Sequence, residues 1–175
     1  LCNWVYAFEP DINNFDVLVS NLNMNHIENV NTFRSAVTDK HDSLFLYPCM
    51  SNNGMHRIYR SKWNRGYGVR CDTVRIDDYP ICKDTTFIKM DIEGAEVLAL
   101  RGMQQTLKDN PNLKMMMEFH PPSIEECGND PKEAYDLLTG IGYSIRLFPK
   151  PYIPISYTEL EKETRDENGG KNIYC

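Results

Sequence analysis

The chain has 175 residues, of which 41% are hydrophobic and 25% charged, as in an ordinary globular domain with a substantial core. Its formal net charge of −6 argues against a general nucleic-acid-binding protein, which would usually be basic. No run approaches the roughly 20 apolar residues of a membrane span, and the first residues do not resemble a signal peptide. The 6 cysteines and 4 histidines are scattered, so we expect reduced thiols, a cytoplasmic location and no structural zinc site.

The first predicted strand runs from Trp4 to Phe8, a continuous apolar and aromatic run that Pro10 ends. Asp11 is well placed to cap the helix that follows, because its carboxylate can accept hydrogen bonds from free backbone amides. The apolar residues of this helix recur at intervals of three and four: Ile12, Phe15, Leu18 and Leu22. A second strand is predicted from Val30 to Val37.

An insertion is predicted between about Leu44 and Ile76. Its two ends form strands, Leu44 to Tyr47 and Val69 to Ile76, which we expect to pair. The loop between them, 48–68, carries basic residues interleaved with aromatic ones, and the basic run continues just past it: Arg57, Tyr59, Arg60, Lys62, Trp63, Arg65, Tyr67 and Arg70. We expect this loop to be the most mobile long segment and to face the ligand crevice, where it would grip an acidic or sugar-like substrate. The alternative is a solvated loop whose aromatic residues rest on the domain.

The central element of the chain is the stretch from Phe87 to Met103, predicted as strand, tight turn and helix. The helix has one apolar stripe, formed by Val97, Leu100, Met103 and Leu107. Ligands of open α/β sheets bind at the carboxyl ends of the strands, so Asp91 and Glu93 in the turn are candidate site residues. In the alternative interpretation, Asp91 caps the helix and Glu93 favours its positive end.

A further buried strand is predicted from Leu113 to Phe119, with Glu118 near its end, and His120-Pro121-Pro122 breaks it. The charged stretch from Glu159 to Lys171 is predicted to be exposed. The remaining predicted elements are a helix from Asn129 or Asp130 to Gly142, a strand from Ser144 to Phe148, and a last strand from Asn172 to Cys175.

Strands that alternate with helical stretches predict a single α/β domain over residues 1–175, built on a doubly wound, mostly parallel sheet. The strands expected in this parallel sheet are Trp4–Phe8, Val30–Val37, Phe87–Met90 and Lys114–Met117. The chain begins at Leu1 and enters a strand almost at once, so we expect an N-terminally truncated domain.

Three of these strands end in acids, Glu9, Asp91 and Glu118, which would lie along one edge of the sheet. Glu9 suits a nucleotide site, where a carboxylate accepts hydrogen bonds from ribose hydroxyls, or it is a solvated acid beside a proline turn. Lys89, near the middle of a predicted buried strand, needs a partner, which Asp91 or Glu118 could provide. Such a pair is consistent with a structural role and with a tuned catalytic group.

The order of several motifs resembles the FkbM-type S-adenosylmethionine-dependent methyltransferases. The matching stretches are V-Y-A-F-E-P-D at 5–11, N-F at 14–15, L-x-x-N at 22–25, N-V at 29–30, S-A-V-x-D at 35–39, N-G at 53–54, F-I-K-M-D-I-E-G-A-E at 87–96, R-G at 101–102 and M-E-F-H at 117–120. The resemblance implies a class I methyltransferase fold that here lacks its first strand and glycine-rich loop. We therefore expect this chain alone to bind the cofactor weakly or not at all.

The resemblance also implies an activity, O-methylation of a sugar, glycolipid or natural-product hydroxyl, with S-adenosylmethionine as cofactor. The residues that it places at the cofactor are Phe8, Glu9, Ser35, Ala36 and Asp91, with Glu9 on the ribose and Ser35-Ala36 at the adenine. It places Asp91 and Glu93 at the methyl donor and acceptor, and Glu118 and His120 complete the candidate catalytic residues.

Two chemical questions stay open at this stage. A carboxylate or His120 could take the hydroxyl proton, or Asp91 and Glu93 could hold a magnesium-like ion that lowers the hydroxyl pKa. Two other functions compete with methyl transfer. One is a non-catalytic module that binds a glycan or phosphorylated ligand through the basic loop, and the other is a nicotinamide-dependent oxidoreductase, for which no fitting fingerprint is present.

Overall fold

The structure, a computed structural model, describes residues 3–49, 52, 54–62, 64, 66–79, 84–149, 153–165 and 170–175. The strands are β1 (Val5–Phe8), β2 (Val30–Phe33), β3 (Ala36–Val37), β4 (Ser43–Leu46), β5 (Val69–Val74), β6 (Phe87–Met90), β7 (Lys114–Phe119), β8 (Arg146–Leu147) and β9 (Lys171–Tyr174). The helices are α1 (Ile12–Met24), α2 (Glu96–Arg101), α3 (Gln104–Asp109), α4 (Pro121–Glu126), α5 (Pro131–Thr139) and α6 (Tyr157–Thr164). None of the helices in the described residues has the length and apolar character that crossing a bilayer requires.

The predicted α/β class is confirmed, and the strands of the described residues pair in three small sheets. The pairs β1–β2 and β6–β7 are parallel, as expected, but in the described residues they belong to two separate sheets and not to the single parallel sheet that was predicted. The other two sheets mix directions: β5 lies between parallel β3 and antiparallel β4, and β9 runs antiparallel to both β7 and β8. Because β6 and β7 are parallel neighbours, their carboxyl ends lie at the same edge of their sheet.

The strand predicted from Val30 to Val37 is divided into β2 and β3, so that prediction is wrong in its extent. The two halves serve different packing clusters. Phe33 at the end of β2 stacks on Phe8 with ring centroids 4.9 Å apart, whereas Ala36 is buried with Leu46 and Cys71. A single straight strand cannot reach both partners, and the chain breaks at Arg34-Ser35.

The predicted pairing at the two ends of the insertion is confirmed. β4 and β5 run antiparallel, with Leu44 opposite Cys71. Past β5, the chain forms a short 3₁₀ turn at Ile76–Asp78, where Asp77 accepts hydrogen bonds from the backbone amides of Gln105 and Thr106. The insertion is thereby tied to the first turn of α3.

The apolar stripe of the central helix is buried as predicted, but the helix is divided into α2 and α3. Gly102, between them, lies against the backbone of Thr38 so closely that a Cβ atom would overlap the Thr38 carbonyl. The close approach requires glycine there, and glycine is a poor helix former. Asp77 then supplies the hydrogen bonds that let a new helix begin.

Two helices, α6 and α4, were not predicted from the sequence. The charged stretch predicted to be exposed includes most of α6, whose Leu160 and Thr164 are fully buried. Its start has a capping box between Ser156 and Glu159, which the S-x-x-E pattern indicates. The pair of prolines after His120 begins α4 instead of only ending the strand, because proline fits the first helical turn.

Candidate active site

Three carboxylates meet where β6 and β7 end. The parallel register places Met90 opposite Met117, so Asp91 and Glu118, the next residues, are neighbours, and the turn brings Glu93 to them. One oxygen from each of Asp91, Glu93 and Glu118 lies within 4.8 Å of the others. The structure thus brings together three of the four residues predicted for the reaction.

Basic side chains neutralise two of the three acids. Lys89 Nζ lies 3.1 Å from Asp91 Oδ2, and Arg57 Nη2 lies 3.2 Å from Glu93 Oε2. Of the two partners predicted for Lys89, Asp91 and Glu118, Asp91 forms the ion pair, although the Lys89 side chain is 43% exposed and not buried as predicted. Within the described residues Glu118 has no ion-pair partner, which leaves it as the uncompensated member of the cluster.

Glu118 has the proton affinity of a group that exchanges protons near neutral pH. Burial, together with the negative charges of Asp91 and Glu93, raises its pKa to about 7, against the opposing effect of Lys89 and Arg57. A carboxyl group with this pKa is present in both protonation states at neutral pH. That is the property required of a general base.

The turn between β6 and α2 is held in an unusual conformation. Glu93 has φ +56°, in the left-handed region that non-glycine residues rarely adopt, and Gly94 follows with φ +99°. The hydroxyl of Tyr59 donates a hydrogen bond to the Glu93 carbonyl at 2.8 Å. The alternative in which Asp91 caps the helix is wrong, since α2 begins at Glu96 and Ala95 stands at its cap without a side-chain hydrogen bond.

Glu96 supports this turn from inside the protein, a role that the sequence analysis missed. Its Oε1 accepts hydrogen bonds from the backbone amides of Ile92 and Gly94, both at 3.3 Å. The residue is only 1% exposed, and its Oε2 has no hydrogen-bond partner among the described residues. A charged residue on the apolar side of a predicted helix was the available signal, because such a residue needs a buried partner.

We expect Glu96 to make the protein less stable as the pH rises through the slightly acidic range. Burial raises its pKa from 4.5 to about 7. Between those values the folded state holds more protons than the unfolded state, so the free energy of unfolding falls with pH and levels off above about 7. The shift corresponds to about 3 kcal/mol.

Urea unfolding of the wild type and of Glu96→Gln at several pH values between 4.5 and 7.5 checks this. The wild type should lose stability over the range, and Glu96→Gln should lose less by about 3 kcal/mol. Glu163→Gln, at an exposed position of α6, is the control and should keep the wild-type slope. Identical slopes for the wild type and Glu96→Gln would contradict the assignment.

His120, the fourth residue predicted for the reaction, follows β7 directly and stands at the N-cap of α4. Its Nδ1 lies 2.7 Å from Ser123 Oγ, which in turn lies 3.3 Å from Arg57 Nη2. Ser123 therefore links the histidine to the arginine that pairs with Glu93.

Glu9, the predicted ribose ligand, lies at the end of β1 and is half-buried. The backbone amide of Asp11 donates a hydrogen bond to Glu9 Oε1 at 2.8 Å, and burial raises the pKa of Glu9 above its usual value. Asp11 caps α1 as predicted, with Oδ1 accepting from the amides of Asn13 and Asn14. Glu9 is not a member of the group of three carboxylates at the end of β6 and β7.

The other residues predicted at the cofactor flank the end of β1. Phe8 packs face to face with Phe33 and edge-on to Tyr79. Ser35 is half-buried in the break between β2 and β3, and Ala36 beside it is buried in the cluster with Leu46. Because the Ala36 side chain is committed to packing, Ser35 is the better placed of the two to meet a ligand.

Of the described basic and aromatic residues of the loop, Arg57 is buried, whereas Arg60, Lys62, Tyr67 and Arg70 are exposed. Arg57 is only 4% exposed and turns inward to the acids, so it does not contribute to a ligand-gripping surface. Arg60 lies over the ring of Tyr47, 5.1 Å from its centroid, and Arg70 Nε donates to Ser43 Oγ. Trp63 and Arg65, also predicted for the grip, lie outside the described residues. The predicted mobility of the loop stays a prediction.

Comparison with known proteins defines the family. The model of the methyltransferase FkbM domain matches residues 2–145, so the chain belongs to this family. The fold is similar to that of a solved structure, methyltransferase FkbM from Methylobacillus flagellatus KT, with a TM-score of 0.57 and 18% identity. That similarity covers 98% of this chain but 36% of the other, so this chain spans about a third of its structural neighbour. No match was found among curated proteins.

Proposed function

We propose that the protein transfers a methyl group from S-adenosylmethionine to a hydroxyl group of a small acceptor such as a sugar, a glycolipid or a natural product. The observation that carries the proposal is the group of three carboxylates, Asp91, Glu93 and Glu118, within a methyltransferase FkbM domain. Sugars and related molecules present several hydroxyls, and carboxylates are strong acceptors for them. The proposal includes the class I arrangement, with a doubly wound sheet, that the resemblance implies.

The residues around the end of β1 have the chemistry that the cofactor needs. The carboxylate of Glu9 can accept hydrogen bonds from two ribose hydroxyls, and the half-buried Phe8 and Ser35 offer an apolar face and a hydroxyl. When bound, S-adenosylmethionine supplies an activated methyl group. The protein's task is then to align the acceptor oxygen and to exclude water.

The carboxylates at the end of β6 and β7 have different roles in the proposed reaction. Asp91 and Glu93 are each paired with a cationic side chain, Lys89 and Arg57 respectively. They accept hydrogen bonds from hydroxyl groups of the acceptor and so orient it. Glu118 takes the proton from the reacting hydroxyl, because it combines a pKa of about 7 with the lack of an ion-pair partner among the described residues. The hydroxyl oxygen thus becomes the nucleophile without a strong base.

A magnesium-like ion is not part of this mechanism. Lys89 and Arg57 already compensate two of the three negative charges, and Glu118 can be neutral by protonation. Two of the three carboxylates are therefore already paired with cationic side chains of the protein.

The cofactor assignment predicts that Glu9→Gln weakens binding of S-adenosylmethionine. Glutamine keeps the shape but loses the charge that strengthens two hydrogen bonds, which corresponds to about 1–3 kcal/mol. Titration calorimetry on the full-length protein measures this. Asp16→Asn, which removes a charge from the exposed face of α1, is the matched control and should bind as the wild type does. Equal affinities for the wild type and Glu9→Gln would place the cofactor elsewhere.

A further inference from the structure

We propose that Arg57, together with Tyr59, is a positioning residue for the reaction: the insertion uses these side chains to hold Glu93 in its strained conformation, facing the other two carboxylates. This inference rests on the proposed function for its consequence, and on geometry alone for the contacts. Neither residue touches the reacting atoms in the proposed mechanism, and both act through Glu93.

The guanidinium of Arg57 is buried and contacts three side chains. Its Nη1 lies 3.0 Å from Glu126 Oε2, and its Nη2 lies 3.2 Å from Glu93 Oε2 and 3.3 Å from Ser123 Oγ. One side chain thus ties the turn after β6 to helix α4, which follows β7. Lysine could not make these contacts at once, because it has one nitrogen instead of a planar fork.

The backbone of Arg57 is itself fixed. It forms an isolated bridge with Tyr47, just after β4, in which the Tyr47 amide donates to the Arg57 carbonyl at 2.7 Å. The ring of Tyr59 lies 5.6 Å from the guanidinium carbon, at cation–π distance. The insertion therefore fixes the backbone and the guanidinium of Arg57 independently of its contacts with the acids.

Glu93 is held at two points by the same short segment. Arg57 binds its carboxylate, and the Tyr59 hydroxyl binds its backbone carbonyl. A residue at φ +56° carries a conformational cost, which persists only where the surroundings enforce it. Arg57 and Tyr59, two residues apart, hold Glu93 in this conformation. If the insertion served only for packing, these two contacts with Glu93 would not be required.

The residue before Arg57 extends the segment towards the predicted cofactor site. His56 Nε2 lies 3.8 Å from Asp11 Oδ2, and the amide of Asp11 is the one that binds Glu9. Consecutive residues of the insertion therefore contact the loop after β1 and the turn after β6. This arrangement fixes the two predicted subsites relative to each other.

The test compares variants of the full-length protein in three measurements. These are affinity for S-adenosylmethionine by calorimetry, the rate of trideuteromethyl transfer into a small-molecule extract of the source cells, and the φ angle of Glu93 from NMR scalar couplings. Arg57→Met should leave the affinity unchanged and lower the rate on the order of 10²-fold, the scale of a small misplacement. Arg57→Lys should recover part of the rate, and Tyr59→Phe should lose up to about tenfold.

Arg165→Met is the matched control, because Arg165 also bridges two glutamates, Glu125 and Glu161, but on the exposed side of α4 and α6. It should keep the wild-type rate. In the variant that combines Arg57→Met with Tyr59→Phe, Glu93 should leave the left-handed region. If Arg57→Met does not fold, Tyr59→Phe and Glu126→Gln give the same test without an unpaired buried charge.

The outcomes separate the two proposals. A wild type that methylates nothing refutes the proposed function, and the φ angle of Glu93 still decides the role of Arg57. A wild type that methylates, with Arg57→Met and Tyr59→Phe as active as Arg165→Met or with Glu93 unchanged in the combined variant, overturns the positioning role alone.

Discussion

Replacing Glu118 by glutamine is expected to lower the turnover by about 10²–10⁴-fold, the usual contribution of a general base, while affinity for S-adenosylmethionine stays the same. Glutamine has nearly the same shape and can still form hydrogen bonds, but it cannot take a proton. The loss would therefore appear in the transition state and not in cofactor binding. Single-turnover transfer and calorimetry on the same preparation measure the two effects separately.

Two variants make this expectation specific. Glu28→Gln, at an exposed position outside the cluster, should be fully active. His120→Asn tests the other candidate for the base, and it should cost less than Glu118→Gln because the His120 ring is engaged with Ser123. A large loss in His120→Asn together with an active Glu118→Gln would reverse the two roles.

Replacing Gly94 by alanine is expected to destabilise the protein strongly and to abolish turnover. At φ +99° an L-residue is strained, and the new Cβ would overlap the Ser123 carbonyl and lie 2.7 Å from the Tyr59 hydroxyl. Strain of about 1–3 kcal/mol and overpacking of about 1–3 kcal/mol act together. The turn that carries Asp91 and Glu93 would have to move.

Gly142→Ala separates these two causes. Gly142 has nearly the same φ, +98°, but a Cβ there has nothing within 4 Å. It should therefore show the conformational cost alone and keep turnover. Urea unfolding of both variants gives the difference. If Gly94→Ala and Gly142→Ala lose the same free energy of unfolding, the close approach to Ser123 and Tyr59 does not matter.

Local chemistry explains what could be predicted from the sequence. Asp11 caps α1 as predicted, because a carboxylate after a strand satisfies free amides, and of the two predicted starts of α5, Asn129 and Asp130, Asp130 is the cap. Asp91 and Glu118 come together because parallel apolar strands end at one edge. Such features depend on short stretches of sequence, in which the capping residue or the apolar strand can be recognised directly.

Features that depend on distant partners could not be predicted in this way. Arg57 reads as one cation of an exposed basic loop, and only the fold brings it to Glu93 and Glu126, which are 36 and 69 residues away in the chain. The division of the central helix depends on Thr38, which packs against Gly102. The capping box of α6, by contrast, was visible in the sequence, and the density of charge around it obscured the buried Leu160.

Label transfer tests the central claim most directly. The full-length protein is incubated with S-adenosylmethionine that carries a trideuterated methyl group and with a small-molecule extract of the source cells, and the products are identified by mass spectrometry. We predict trideuteromethyl ethers from the wild type and at most traces from Glu118→Gln. A wild type that binds the cofactor but labels nothing, or that places the label on nitrogen or carbon, would contradict O-methylation at the carboxylate cluster.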